Sequence, residues 1–308
     1  MASMDDGQSD WTVVRPNGEP LRTDPARGQR LPDGCVIAGK YAVRGVIGRG
    51  SVSTVYHGEQ RPIGRAVAIK VLASVVKGSE QHARLAREAR LLAELTDESL
   101  VRVFDLGWLE VGTGALVMEL LEGETLRARL RREGPMAPAE LLPMIADVLD
   151  GLAAVHAQRI VHRDLRPENV FLASKRGRTA VKLIDFGLGR HLDEQSSLTA
   201  LGRPVGSPAY MAPEQFLGGE VDERIDLYSL GVTLFEALVG RPPFVGAGPQ
   251  LPLAVLRDAP PRASSLRPDL DSAIDALLAR ALAKKPADRF ESAEEMADAV
   301  RASIPPAR

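Results

Sequence analysis

The sequence predicts an α+β chain in two lobes, a small β-rich one followed by a larger, mainly helical one. Three observations carry this prediction. Short β-branched runs separated by glycine begin at Tyr41; the apolar spacing is helical at most points beyond Glu124; and 308 residues give room for two cores.

Residues 1–38 read as an irregular extension, polar from Asp5 to Asp10 and punctuated by Pro16, Gly18, Pro20, Pro25, Gly28, Pro32 and Gly34. Its one apolar patch, 11–14, holds Trp11, which docks on the body or on a partner if it has any role beyond the extension. Strands are then expected over 41–47, 51–58 and 66–72. A helix over 81–95 follows, with Leu85, Leu91, Leu92 and Leu95 on its apolar face. Two more strands, 101–109 and 114–120, complete the small lobe. In the large lobe the spacing predicts a long helix over 138–158, with Leu142, Ile145, Leu149, Leu152 and Val155 on one side, and helices over 222–239, 270–283 and 292–302. The Pro-rich stretch 242–268 reads as loops, and the run Arg127, Arg129, Arg131 and Arg132 as a solvated helix face.

Composition narrows the function. The chain is 44% hydrophobic and 26% charged, which rules out wholesale disorder. Its 39 Lys and Arg against 41 Asp and Glu give a formal charge of -2, so a generic nucleic-acid or anionic-membrane binder is not expected. The lone Cys35 allows no internal disulfide, which fits a reducing compartment, and the five histidines show no metal-ligand spacing. No apolar run is long enough for a membrane span and the acidic N-terminus is unlike a secretory signal, so the expected location is cytoplasmic.

Three segments carry chemistry. The first, Ile47-Gly48-Arg49-Gly50-Ser51-Val52-Ser53-Thr54-Val55, is a glycine-rich turn between two strands. There backbone N–H groups can approach phosphate oxygens, although a plain hairpin also reads this way. In the second, Val67-Ala68-Ile69-Lys70, a lysine in an apolar strand either points to water or finds a partner, and Glu88 in the next helix offers one. The third is Val161-His162-Arg163-Asp164-Leu165-Arg166-Pro167-Glu168-Asn169, followed by Val181-Lys182-Leu183-Ile184-Asp185-Phe186-Gly187. A carboxylate able to accept a hydroxyl proton, with an amide and a second carboxylate able to bind hard cations, is the set that phosphoryl transfer with Mg²⁺ requires. Taken singly, these residues also read as a turn or a cap. Taken together and in this order they point to a kinase.

With these motifs in place, the chain resembles the eukaryotic-type protein kinases over about 41–302, and most closely their bacterial Ser/Thr members. Ala212-Pro213-Glu214, Asp226-Leu227-Tyr228-Ser229-Leu230-Gly231, and Arg289 as a partner for Glu214 extend the likeness. The resemblance implies the bilobal protein-kinase fold in a domain at 39–303. Within it a small lobe spans 39–118, a connector 119–123 and a large lobe 124–303, with a tail at 304–308. It also implies ATP with Mg²⁺ or Mn²⁺ as cofactors, and protein substrates carrying Ser or Thr. Ile47, Val55, Ala68 and Phe171 would sandwich the adenine, Glu119 and Leu121 would meet its edge through their backbones, and Met118 would guard the pocket behind. Gly48, Arg49, Gly50, Ser51, Val52 and Ser53 would cover the phosphates, and Lys70, held by Glu88, would grip them. Asn169 and Asp185 would hold the metal, Asp164 would orient and deprotonate the hydroxyl, and Arg166 would meet the transferring group.

The departures from the family pattern are Ser53 in place of a third loop glycine, which implies a stiffer loop tip and lower ATP affinity, and Arg166 in place of lysine, which implies a slower enzyme. Arg163 implies control by a phosphorylated loop residue, with Thr199, Ser196 and Ser197 as the sites and dimerisation as a route to autophosphorylation. Two alternatives accompany this reading: a pseudokinase that binds nucleotide as a scaffold, and a small-molecule phosphotransferase of the related fold. The Ala212-Pro213-Glu214 segment argues against the second.

Overall fold

The computed structural model describes residues 10–11, 13–14, 30–50, 53–76, 80–109, 113–175, 177–186, 208–218 and 221–306. They form two compact units, one of residues up to Thr96 together with Val101–Leu121, the other of Asp97–Leu100 together with residues from Glu122 onward.

The first unit contains strands β1 (Asp10–Trp11), β2 (Val13–Val14), β3 (Val36–Ile37), β4 (Tyr41–Arg49), β5 (Ser53–Gln60) and β6 (Arg65–Val76). Helix α1 (Glu80–Glu94), β7 (Val103–Leu109) and β8 (Thr113–Glu119) follow. They build one eight-stranded sheet in the order β1-β7-β8-β6-β5-β4-β3-β2. The pairs from β3 to β8 are antiparallel, four of them hairpins and the fifth, β6 with β8, formed across the intervening α1 and β7, while β1 runs parallel to β7. Alternation along β6 sends Val67, Ile69 and Val71 to one face, where they pack with Tyr41, Val43, Tyr56 and Val117 in the core. Strands β1, β2 and β3 all fall inside the stretch 1–38 that reads as irregular from sequence. They are two residues each, too short to leave a periodicity.

Strands β1 and β2 occupy the two opposite edges of that sheet. A single residue separates Trp11 from Val13 in sequence, so their Cα atoms lie within about 7 Å of each other. The two edges are therefore brought together, and the curled sheet is clasped by one short segment.

The second unit opens with a three-stranded sheet, β11-β10-β9, of β9 (Gly123–Thr125), β10 (Val170–Lys175) and β11 (Arg178–Leu183). Gly123 sits at φ 139°, and a Cβ there would overlap the Leu172 carbonyl oxygen, so only glycine fits this crossing of β9 and β10. The helices are α2 (Leu126–Glu133), α3 (Pro138–Ala157), α4 (Pro213–Leu217), α5 (Arg224–Val239), α6 (Gln250–Arg257), α7 (Ala263–Leu266), α8 (Ser272–Ala281) and α9 (Ala293–Ala302). Helix α5 is buried on every side from Ile225 to Leu238 and forms the axis of this unit, with α3, α7 and α8 packed against it. The stretch 242–268 that reads as loops contains α6 and α7, which are short helices carrying prolines at or near their ends. Among the described residues no helix is long and apolar enough to cross a membrane.

Candidate active site

In the first unit the glycine-rich turn joins β4 to β5. Ile47, Gly48 and Arg49 end β4, and the Gly50 N–H donates to the Ser53 carbonyl at 2.8 Å. A Cβ at Gly48 would come no nearer than 3.8 Å to Val55 Cβ, and one at Gly50 no nearer than 3.5 Å to Ser53 Oγ. The chain's own packing thus leaves space at both positions, which suits a loop that must lie close over a ligand. Ser51 and Val52 lie outside the described residues.

Register places the next group on one sheet face. Val55 is opposite Lys70, Ala68 is opposite Met118, and Ala68 and Lys70 are two residues apart on β6. Val55, Ala68, Lys70 and Met118 therefore share a face, with Ala68 and Met118 buried and Lys70 half-buried. Glu88 is half-buried on α1, beside the buried Ala89 and Leu92, and α1 packs against β6 and β7; the side chain of Leu85 lies outside the described residues. Glu119 ends β8, donating its N–H to the Arg102 carbonyl at 2.9 Å and accepting the Arg102 N–H on Oε1 at 2.8 Å. The half-buried Leu121 closes this unit.

In the second unit the β10–β11 hairpin carries two of the expected metal ligands to one end. Asn169 directly precedes β10, Asp185 follows β11 by two residues, and the Ile184 N–H donates to the Asn169 carbonyl at 2.9 Å. Phe171 is half-buried on β10, paired with Thr125 of β9 and Lys182 of β11. The Asn169 amide donates from Nδ2 to the Asp164 carbonyl at 2.6 Å and to Asp164 Oδ2 at 3.0 Å. With both N–H bonds spent on Asp164, the Asn169 Oδ1 is the atom left to act as a ligand. Among the described residues no group of three or more His, Cys, Asp or Glu is arranged to hold a metal. An amide oxygen and one carboxylate are nevertheless an ordinary protein share for Mg²⁺, which keeps waters and takes phosphate oxygens for the rest.

The loop bearing Asp164 is tied to α5. Asp226, fully buried, accepts the His162 N–H at 2.7 Å and the Arg163 N–H at 2.8 Å, and its Oδ2 lies 2.9 Å from His156 Nε2. Arg163 has φ 64° and Asp185 φ 57°, both left-handed and costly for residues other than glycine. The Asp226 bonds hold the first of these in place. The buried His162 ring accepts the Asp164 N–H on Nδ1 at 3.3 Å, so its Nε2 carries the hydrogen and donates to the Ile184 carbonyl at 3.1 Å. Burial pushes its pKa down, and the imidazole stays neutral as this tautomer requires. Burial alone would raise the Asp226 pKa; the His156 hydrogen bond and the neighbouring histidines bring it below the usual carboxylate value.

Arg166 donates from Nε to Glu168 Oε2 at 2.7 Å and stacks its guanidinium 5.8 Å from the Tyr210 ring centre. The arginine run on α2 departs from the sequence reading at Arg127 and Arg129, while Arg131 and Arg132 are exposed as it expects. Arg127 is 18% exposed and ion-paired with Glu168 and Glu236, and Arg129 is 13% exposed and paired with Glu133 and Glu140. Of the described pairs only that of Arg132, with Glu124 and Glu133, belongs to a solvated face. The counter-charges of Arg127 come from α5 and the loop bearing Glu168, far off in sequence, and no local spacing announces them, whereas Arg129 meets Glu133 one turn on in its own helix. Asp226 and Glu236, acids in a helix buried all round, carried a readable signal: a buried charge needs partners. Ser196, Ser197 and Thr199 lie outside the described residues.

Comparison with known proteins gives the family and the fold. The protein kinase domain pattern matches residues 41–300, and the chain belongs to that family. It is 42% identical over 280 residues to the serine/threonine-protein kinase pkn2 of Myxococcus xanthus, covering 88% of this chain and 33% of that protein. It is 41% identical over 273 residues to PknL of Mycobacterium tuberculosis, covering 87% of this chain and 67% of the relative. A crystal structure of the Mycobacterium tuberculosis PknI kinase domain superposes with a TM-score of 0.72 at 31% identity, covering 89% of this chain and all of that one. The chain thus spans about a third of pkn2 and 43% of the PknB of Mycobacterium leprae.

Proposed function

We propose that this chain is a protein kinase that transfers the γ-phosphoryl group of ATP to serine and threonine hydroxyls of protein substrates. The observation that carries the reading is the Asn169–Asp164 contact, which orients a carboxylate and leaves the Asn169 amide oxygen to act as a ligand at the end of the β10–β11 hairpin, two residues past which Asp185 follows.

Asp164 accepts the proton of the substrate hydroxyl and aims its oxygen, with Asn169 fixing the carboxylate's rotation. Asn169 and Asp185 hold Mg²⁺, which, when bound, supplies positive charge against the phosphate oxygens. Lys70, anchored by Glu88, steadies the nucleotide phosphates under the Gly48–Gly50 turn, and Arg166 adds charge near the acceptor. Ile47, Val55, Ala68, Met118 and Phe171 supply the apolar contacts for the base, with the backbones of Glu119 and Leu121 at its edge. Little covalent work falls to the protein, so positioning and charge carry most of the rate. Phosphates on Ser196, Ser197 or Thr199, placed by one copy of the chain on another, would dock on Arg163 and order the loop.

Intact-mass spectrometry after incubation with Mg-ATP, on protein first stripped with phosphatase, tests this reading. The wild type gains phosphate, and Asp164→Asn is slower by a factor on the order of 10² to 10⁴. A wild type that phosphorylates neither itself nor any Ser/Thr peptide overturns it.

A further inference from the structure

Arg127 reaches from α2 into a socket made by Glu168, Glu236 and Tyr210. Its Nε donates to Glu168 Oε1 at 2.9 Å, and its Nη1 and Nη2 donate to the two oxygens of Glu236 at 2.6 and 3.1 Å. Nη2 also donates to the Tyr210 hydroxyl, which donates in turn to Glu236 Oε2. Every nitrogen of the guanidinium is engaged. The socket has a closed floor and an open rim, since the Glu236 side chain is 7% exposed and that of Glu168 is 32% exposed. Glu168 lies one residue before Asn169 and four after Asp164, within the loop that must receive the acceptor hydroxyl.

Two carboxylates and a hydroxyl disposed around a planar fork form a receptor for a guanidinium in general, not only for this one. Arg166 also binds Glu168, so the cluster of Arg127, Arg166, Glu168 and Glu236 carries no net charge. Without Arg127 it would carry one negative charge on the loop to which the kinase reading assigns the acceptor hydroxyl.

We propose that Arg127 is a built-in stand-in for a substrate arginine: it fills an acidic socket on the catalytic loop and so leaves this chain without the preference for an arginine peptide that an open socket would give. The proposal rests on the kinase reading above. A purely architectural Arg127, one that only ties α2 to α5, would affect stability and leave peptide preference alone.

The test uses the full chain as wild type, Arg127→Ala and Arg127→Gln, the last keeping amide donors in case the alanine variant does not fold. Each is assayed with Ser/Thr peptide sets that differ only in arginine or alanine at positions flanking the acceptor. The wild type should treat the two sets alike, while the variants should favour an arginine peptide by about fivefold or more in kcat/KM, through KM. Adding Glu236→Gln should abolish the gain. A second readout needs no phosphoryl transfer: millimolar methylguanidinium should raise the melting temperature of the variants and not that of the wild type, with methylammonium doing less. An active enzyme whose variants show neither an arginine preference nor guanidinium-specific stabilisation overturns this proposal alone. A wild type inactive on every peptide overturns the kinase reading, and this proposal with it.

Discussion

Arg289 and Glu214, 75 residues apart in sequence, meet as a buried fork-to-fork pair, with Nη1 to Oε1 and Nη2 to Oε2 each at 2.7 Å. The other donors of Arg289 are also taken. Nε bonds the Ala283 carbonyl at 2.8 Å, Nη1 the Arg224 carbonyl at 3.1 Å and Nη2 the Lys284 carbonyl at 3.2 Å, while the guanidinium lies 4.8 Å from the Tyr228 ring centre. One side chain thus joins the start of α4, the start of α5 and the turn after α8.

Arg289→Met should cost about 3–5 kcal/mol in urea unfolding, because it leaves the Glu214 carboxylate buried without its cation. Arg289→Lys should recover little of this, since an ammonium has three donors and no fork. The double variant Arg289→Met with Glu214→Leu should lose less than the sum of its single variants, as no lone charge remains. Additive losses would show that the pair is not coupled.

Asp226 should behave as a positioning residue. Asp226→Asn replaces one acceptor with an NH₂ group facing the His162 or Arg163 N–H, so a bond that holds the catalytic loop must be lost. We expect kcat to fall about tenfold or more, ATP KM to change little, and stability to drop by about 1–3 kcal/mol. Steady-state kinetics beside urea midpoints checks this, and unchanged kcat in a destabilised variant would assign Asp226 to stability alone.

The candidate site is readable in the sequence wherever one residue type does one job. Lys70, Asp164, Asn169 and Asp185 stand out because strand spacing and loop motifs place them within a few residues of a recognisable run. The α3, α5 and α9 boundaries came within two residues of prediction for a similar reason, since their apolar faces are long. What stayed hidden depends on distant partners. Arg127 looks like a surface arginine until Glu236, 109 residues on, is folded against it. Two-residue strands such as β1 and β2 have no period to detect, and their pairing is decided by the sheet edges they meet.

Acid should reveal the Glu168 cluster. The Glu168 pKa is depressed from an ordinary 4.5 to about 2, the bonds and charges of Arg166 and Arg127 outweighing burial. A depressed carboxylate contributes stability that is fully present above its unfolded pKa and is lost as pH falls through the folded one. Its share should therefore fade between about pH 4.5 and 2. Because the side chain is 32% exposed, solvent screening limits this share to about 1 kcal/mol. Glu168→Gln should show a flatter fall of urea midpoint with acid over that window, and an unchanged slope would place the acid sensitivity elsewhere.

The clasp of the first unit makes the last prediction. Val13 and Val14 pair with Ile37 and Val36 at one edge of the sheet, while Asp10 and Trp11 pair with Trp108 and Leu109 at the other. Deleting residues 1–14 would leave both edges with unmatched backbone groups and separate what a single residue now holds together. Edges of that kind recruit other strands, so the truncated chain should self-associate at concentrations where the full chain does not. Amide exchange should speed up at Val36, Ile37, Trp108 and Leu109, while the buried helix α5 in the other unit keeps its protection. Exchange coupled to mass spectrometry, with size-exclusion chromatography on the same samples, reads both effects. Unchanged exchange at those four residues after deletion would mean that β1 and β2 rest on the sheet without closing it.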